Sequence, residues 1–254
     1  MGRAKSRREG ACASRVDTAT RLFPEKMLPG LIVIPREKCG LPLRHCLLTF
    51  DDGPAGATTE AVLLVLREFG VKACFCVVGS QVAARPEQVQ TIAADGHLLV
   101  NHTFHHRYAD LWDFRRFESD LIRCDEVVAS ATAGAPRPLL WFRPPFGLLT
   151  TPVREIAVKR RILPVTHFPF DTWFNSPAPR RAVDWIINHA QRHQGGIYVL
   201  HDGLIGSPVS SFLRPTANRA WVPQAVRQML QRLFAVGFQF PEPSNALHSL
   251  ALPR

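Results

Sequence analysis

Residues 47–54 of this 254-residue chain run Leu47-Leu48-Thr49-Phe50-Asp51-Asp52-Gly53-Pro54. An apolar run ends in two adjacent carboxylates and a Gly-Pro turn. The run reads as a buried strand, and Gly53-Pro54 as the turn out of it. Along a regular strand neighbouring side chains face opposite ways, but at a strand end that is already turning both acids can reach one site. Carboxylates this close repel, and one is driven towards protonation unless a cation sits between them. The pair therefore suggests a metal, with one Asp as ligand and the other free to move a proton. The same stretch also reads as a strand followed by an ordinary Asp-rich turn.

Further candidates lie downstream. In Asn101-His102-Thr103-Phe104-His105-His106, His102 and His106 are four apart and share a face if the segment is a helical turn; His105 is an alternative partner. With Asp52 they make a two-histidine, one-carboxylate set, and three protein ligands with one open position is the usual form of a catalytic zinc site. Arg143 stands between an apolar run and two prolines, where its guanidinium can hold a carboxylate such as Asp51 in a fork or lie on the surface. His201 closes the apolar run 196–200 and precedes Asp202-Gly203; it is either structural or catalytic.

The elements that must position these groups alternate. Strand-like runs fall at 47–51, 73–78, 96–100, 139–142, 162–165, 196–200 and 238–240, and helical spacing at 58–69, 81–95, 114–131, 152–159, 181–192 and 222–236. About seven alternations predict a parallel α/β sheet. Asp51-Asp52, His102, Arg143, Asp171 and His201 each follow a strand run. Convergence of several strand ends on one face is the barrel expectation, whereas an open sheet concentrates its site at one switch point. A single α/β domain, a distorted (β/α)7-type barrel over 31–248, is therefore expected, preceded by a basic segment 1–30 and followed by a tail 249–254.

Composition narrows the remaining classes. Residues 1–45 carry ten basic and four acidic side chains, so six of the net +10 charges lie ahead of the first motif. The folded part is only mildly basic, so no specific nucleic-acid partner is expected, and the head reads as a solvated tail. The six cysteines show neither a disulfide framework nor zinc-knuckle spacing. No apolar stretch is long enough to span a bilayer. No apolar core follows the basic start, so a secretory leader is not expected and the cytoplasm is the default compartment.

Thr49-Phe50-Asp51-Asp52-Gly53-Pro54, then His102-Thr103-x-x-His106, Arg143-x-Pro145-Phe146 and Val199-Leu200-His201-Asp202 resemble, in order and spacing, the polysaccharide deacetylases. These form the NodB-homology domain, carbohydrate esterase family four. The resemblance runs from about Leu47 to Leu247 and includes the ending Gly237-Phe238-Gln239-Phe240. It implies a distorted barrel and a metal-dependent hydrolysis of N-acetyl, sometimes O-acetyl, groups on a sugar, in a family many of whose members are exported. Carried over residue by residue, it makes Asp52, His102 and His106 the ligands of a zinc ion, with Co2+ as an alternative. Asp51 becomes the general base, Arg143 its holder and His201 the general acid. Phe146 offers its backbone N–H to the oxyanion, and Val199 lines the acetyl pocket. One position departs from the pattern. The acid that usually orients the catalytic histidine, just before a Trp, falls on Phe174, so Asp171 is the candidate replacement. Trp173 and Trp221 are candidate sugar-stacking platforms or core residues.

The substrate expected is an acetylated glycan such as chitin, chitooligosaccharide or peptidoglycan. An amidase or deformylase on a small or lipid-linked amide, and an inactive glycan-binding member, are the alternatives; the oligomeric state is open.

Overall fold

The computed structural model describes residues 30–134, 139–167, 179–205, 219–248 and 250. The chain divides into two units, Met1–Leu31 and Ile32–Arg254, and the second holds the described strands and helices.

Its strands are β1 (His45–Asp51), β2 (Cys74–Val77), β3 (Leu98–Asn101), β4 (Trp141–Phe142), β5 (Arg161–Ile162) and β6 (Gly195–His201). They form one parallel sheet in the order β5-β4-β3-β2-β1-β6. The helices are α1 (Ala57–Glu68), α2 (Gly79–Ala84), α3 (Pro86–Ala94), α4 (Phe114–Ala131), α5 (Thr151–Ile156), α6 (Pro179–His193), α7 (Val222–Ala235) and α8 (Pro243–His248). Parallel neighbours need crossovers, and helices supply them. The curled sheet surrounded by helices is the α/β barrel that the alternation predicts.

The curl is closed by single residues rather than by a full strand. After β5, Val165 pairs with Val33 and His167 with Tyr198 of β6. The Thr166 N–H donates to the Ile197 carbonyl at 2.9 Å, and the Ile197 N–H to Thr166 Oγ1 at 2.9 Å. The expected strand at 238–240 is one bridge, Gln239 against His45. Among the described residues the sheet therefore has six strands rather than about seven, with bridges in place of the rest. The expected helix 81–95 is two helices, because Pro86 lacks an N–H and disfavours helical φ/ψ in the residue before it; Arg85 accordingly sits at φ −145°, ψ 58°.

Side-chain alternation separates two apolar layers. Leu48, Phe50, Phe75, Tyr198 and Leu200 pack outward on α1, α6 and α7. Leu47, Cys74, Cys76, Val100, Trp141, Leu163 and Ile197 pack inward, under Cys39, Leu41, Ala246, Leu247 and Leu250. Burying each large apolar side chain is worth about 1.5–3 kcal/mol. The second group closes one mouth of the barrel, where α8 lies. The strand ends that carry Asp51, Asn101 and His201 open at the other. The five described cysteines are all free and buried. No helix among the described residues is long and apolar enough to cross a membrane.

Candidate active site

β1 and β6 run in register with Asp51 opposite His201 and Thr49 opposite Val199. Asp51, the last residue of β1, points inward with Thr49. Asp52 follows at φ 72°, a left-handed conformation uncommon for non-glycine residues, and this swing brings a second carboxylate towards the same space. The turn admits no side chain at two flanking glycines. A Cβ on Gly203 would collide with the Asp52 carbonyl oxygen, and one on Gly53 with the Asp202 carboxylate.

His102 and His106 meet Asp52 without a helix. Residues 102–107 form a loop in which Thr103 and His106 adopt φ 64° and 55°, so the helical-face argument for the pair does not hold, although their convergence does. The loop is tied down by side chains. Asn101 Oδ1 accepts the Thr103 N–H, and Thr103 Oγ1 the His106 N–H, at 2.9 and 3.0 Å. Asp120 of α4 accepts the N–H groups of Phe104 and His105 at 3.0 and 2.9 Å. The His105 ring turns to Asp120, 2.5 Å away, and so leaves the group that it could have joined.

Asp52, His102 and His106 are buried, and their ligand atoms lie within 4.8 Å of one another. Asp52 Oδ1 is 3.6 Å from His102 Nε2 and 3.5 Å from His106 Nε2. His102 Nδ1 donates to the Arg143 carbonyl at 2.7 Å, which leaves the Nε2 lone pair facing Asp52; this outer bond is typical of histidines that hold metals. Burial pushes the His106 pKa down to about 4, so its ring is neutral at pH 7. Asp52 Oδ1 has no hydrogen-bond donor. Burial opposes its charge, yet His106, His102 and His201 outweigh that and hold its pKa below the usual carboxylate range. Asp52 Oδ1 and the His102 Nε2 lone pair are buried and converge, and buried polar atoms left without a partner call for an unmet ion or donor; the N,N,O donor set suits a divalent transition metal.

Asp51 stands beside this group. Arg143 Nη1 donates to Asp51 Oδ1 at 2.6 Å and to Thr49 Oγ1 at 2.7 Å, and Nε donates to the Leu163 carbonyl at 3.2 Å. Arg143 is thus fully enclosed and fixed by strand ends on both sides. Asp51 Oδ2 lies 3.8 Å from His102 Nε2. Burial alone would raise the Asp51 pKa, but Arg143, then His102 and His201, outweigh it and keep the carboxyl below its ordinary range.

Phe146 sits at φ 60° in the turn after Pro144-Pro145, its ring centroid 4.8 Å from that of His106. Val199 is fully buried with Ile32 and Val165. Trp221 packs against the outer core, which favours the core reading for it. Asp171, Trp173 and Phe174 lie outside the described residues. Sequence reasoning gave no role to Asp202, which is fully enclosed, accepts from Thr59 Oγ1 at 2.5 Å and is pushed by burial up to about 7. Its position directly after His201 was the available signal. Asp120 and Asn101 were missed because they hold the loop largely through its backbone N–H groups, which leave no spacing pattern.

Barrel and site together define an α/β-barrel protein with a buried Asp-His-His group able to hold a divalent metal, and comparison with known proteins narrows the class. The family described as polysaccharide deacetylase matches residues 41–163. A chitooligosaccharide deacetylase of Bradyrhizobium sp. (strain ANU 289) is 33% identical over 81% of this chain and 91% of that protein. A peptidoglycan-N-acetylglucosamine deacetylase of Bacillus cereus is 32% identical over 79% of this chain and 86% of its own length. The chain belongs to the polysaccharide deacetylase family. Among solved structures, the peptidoglycan deacetylase PdaC of Bacillus subtilis superposes with a TM-score of 0.66 at 22% identity, over 82% of this chain and 91% of that one. A family pseudoenzyme from Bacillus anthracis superposes at 0.64 and 19% identity, over 81% of this chain and 66% of that one. The fold is therefore common to an enzyme and a pseudoenzyme, and activity must be argued from the site.

Proposed function

We propose that this chain is a metal-dependent N-deacetylase of N-acetylglucosamine oligomers or polymers, either chitooligosaccharide or peptidoglycan. The observation that carries the reading is the buried Asp52-His102-His106 group with its lone pairs converging, next to a second carboxylate held ionised by Arg143. Asp52, His102 and His106 are the ligands in this reading, and Zn2+ is the metal they suit best.

An ion held by Asp52, His102 and His106 would supply Lewis acidity, which would polarise the acetyl carbonyl and make water acidic enough to be deprotonated near pH 7. Asp51 Oδ1 is engaged by Arg143, so Oδ2, which faces His102, is the atom that accepts the proton of the attacking water. Arg143 fixes the rotamer and the charge of this base. The N–H of Phe146 is the donor assigned to the oxyanion, and one such donor is typically worth about 3 kcal/mol. The departing nitrogen must be protonated before it leaves, and His201, across the β1–β6 register from Asp51, gives that proton. The products are acetate and a free amine. Val199 bounds the acetyl methyl. Asp171 remains the candidate for orienting His201, and Trp173 for stacking on the sugar.

Incubation of zinc-loaded protein with chitooligosaccharides, peptidoglycan, formamides and cyclic imides tests the reading. Acetate from a glycan is expected. Turnover of only the small amides would favour the amidase alternative, and glycan binding that survives Asp51→Asn with no turnover in the parent would favour a binding role.

A further inference from the structure

A line of aromatic rings leads from the metal group to the surface. The His106 and Phe146 centroids are 4.8 Å apart, Phe146 and Tyr108 5.8 Å, and Tyr108 and Trp112 6.2 Å. The first two rings are partly or fully buried, whereas Tyr108 is 50% and Trp112 61% exposed. A tryptophan that exposed gives up most of the burial that such a ring ordinarily gains.

Its support is not loose. Tyr108 caps the 3-10 turn Ala109–Trp112, and Leu111 within that turn is wholly buried beside Phe117 and Phe142. The Leu111 carbonyl accepts from the Thr150 hydroxyl. Asp113 then caps α4 by accepting the Arg116 N–H at 3.0 Å. The backbone of the turn is pinned from below while two rings stand out to solvent, so little backbone freedom is left to lose on binding.

We propose that Tyr108 and Trp112 form a stacking subsite for the sugar rings that flank the residue being deacetylated. The occupant is an N-acetylhexosamine ring of the same chain as the reacting sugar. Its faces carry C–H groups that pack on an aromatic plane, while its hydroxyls remain in water. Tyr108 is two ring contacts from His106 and Trp112 three, so Tyr108 serves the adjoining sugar and Trp112 the next one out. This rests on the deacetylase reading and adds to it a preference for oligomers over short substrates.

Two measurements separate the subsite from the reading beneath it. Calorimetric titration of chitotetraose into Asp51→Asn and Asp51→Asn/Trp112→Ala proteins reports binding without turnover. The second protein should bind about tenfold more weakly, the size of one well-formed aromatic contact, and Trp112→Phe should recover part of the loss. In the active background, Trp112→Ala should lower the ratio of tetramer to dimer kcat/KM by about the same factor. Equal affinities in the two Asp51→Asn proteins overturn the subsite and leave the deacetylase reading untouched. Parent protein that binds chitotetraose through Trp112 but releases no acetate overturns the reading and leaves the subsite. If Trp112→Ala instead turns a dimer into a monomer with sugar affinity unchanged, the rings are a contact between copies and the proposal fails.

Discussion

Arg143 Nη1 lies 2.6 Å from Asp51 Oδ1, and both side chains are shut away from solvent. A buried ion pair of this kind is weak evidence for stability, but breaking it from one side is costly because the remaining charge is left uncompensated. Arg143→Met should therefore destabilise the fold by about 3–5 kcal/mol. It should also raise the Asp51 pKa, since Arg143 is the largest influence opposing burial there. Urea unfolding of parent and variant checks the first expectation. The acid limb of the kcat/KM profile, moved to higher pH, checks the second.

The two neighbouring carboxylates should separate cleanly by experiment. Asp51→Asn should keep one bound zinc per chain and lose about 10²–10⁴-fold in kcat, the range for a general base. Asp52→Asn should lose the metal itself. Zinc content measured beside acetate release distinguishes the two, and loss of metal from both variants would refute the division of roles.

Metal binding should stabilise the folded chain. A ligand present at about 100 times its Kd adds roughly 2.7 kcal/mol. Zinc should therefore raise Tm, chelation should lower it, and His106→Ala should abolish the difference. A zinc-dependent Tm shift that persists in His106→Ala would place the ion elsewhere.

Asp120 is expected to act through the loop it holds. It accepts the N–H groups of Phe104 and His105, which lie between the two histidine ligands. Asp120→Ala should weaken zinc affinity by about 10–100-fold while leaving α4 folded, as followed by competition with a zinc indicator and by circular dichroism.

Asp202 gives a pH test with a definite sign. Burial raises its pKa from 3.8 to about 7, so between those values the folded chain keeps a proton that the unfolded chain has lost. Its contribution makes the metal-free protein less stable as pH rises from about 4 to 7. The buried histidines pull the other way. His97 and His106 are each lowered by burial to about 4, so acidification below 6.5 favours the unfolded state, which takes up the protons they refuse. The readout is therefore the difference between parent and Asp202→Asn, which should grow in favour of the variant from pH 4 to 7 and then level off. A difference that shrinks with pH would contradict the assignment.

The legibility of this chain followed how local its signals were. The helix at 114–131 coincides with α4, because its periodicity is strong and Asp113 caps it. Strand ends that carry Asp51 and His201 were visible as apolar runs stopped by polar residues. The two-residue strands β4 and β5 were overextended, since their ends are set by pairing with neighbours rather than by composition. The union of Asp52, His102 and His106 was readable, but through the wrong geometry. Residues in left-handed conformations bring the histidines together, and single-residue φ values leave no periodic trace. The aromatic platform at Tyr108 and Trp112 went unseen because exposure depends on how Leu111 is anchored, which is a tertiary fact.

Acetate release from an N-acetylated chitooligosaccharide by zinc-loaded protein, followed through chelation and re-addition of zinc, tests the central claim most directly. Acetate and free amine should form in equal amounts, stop when the metal is stripped and resume when it returns. Acetate release that continues unchanged without metal, or a chain holding one zinc ion that frees no acetate from any acetylated glycan, would contradict it.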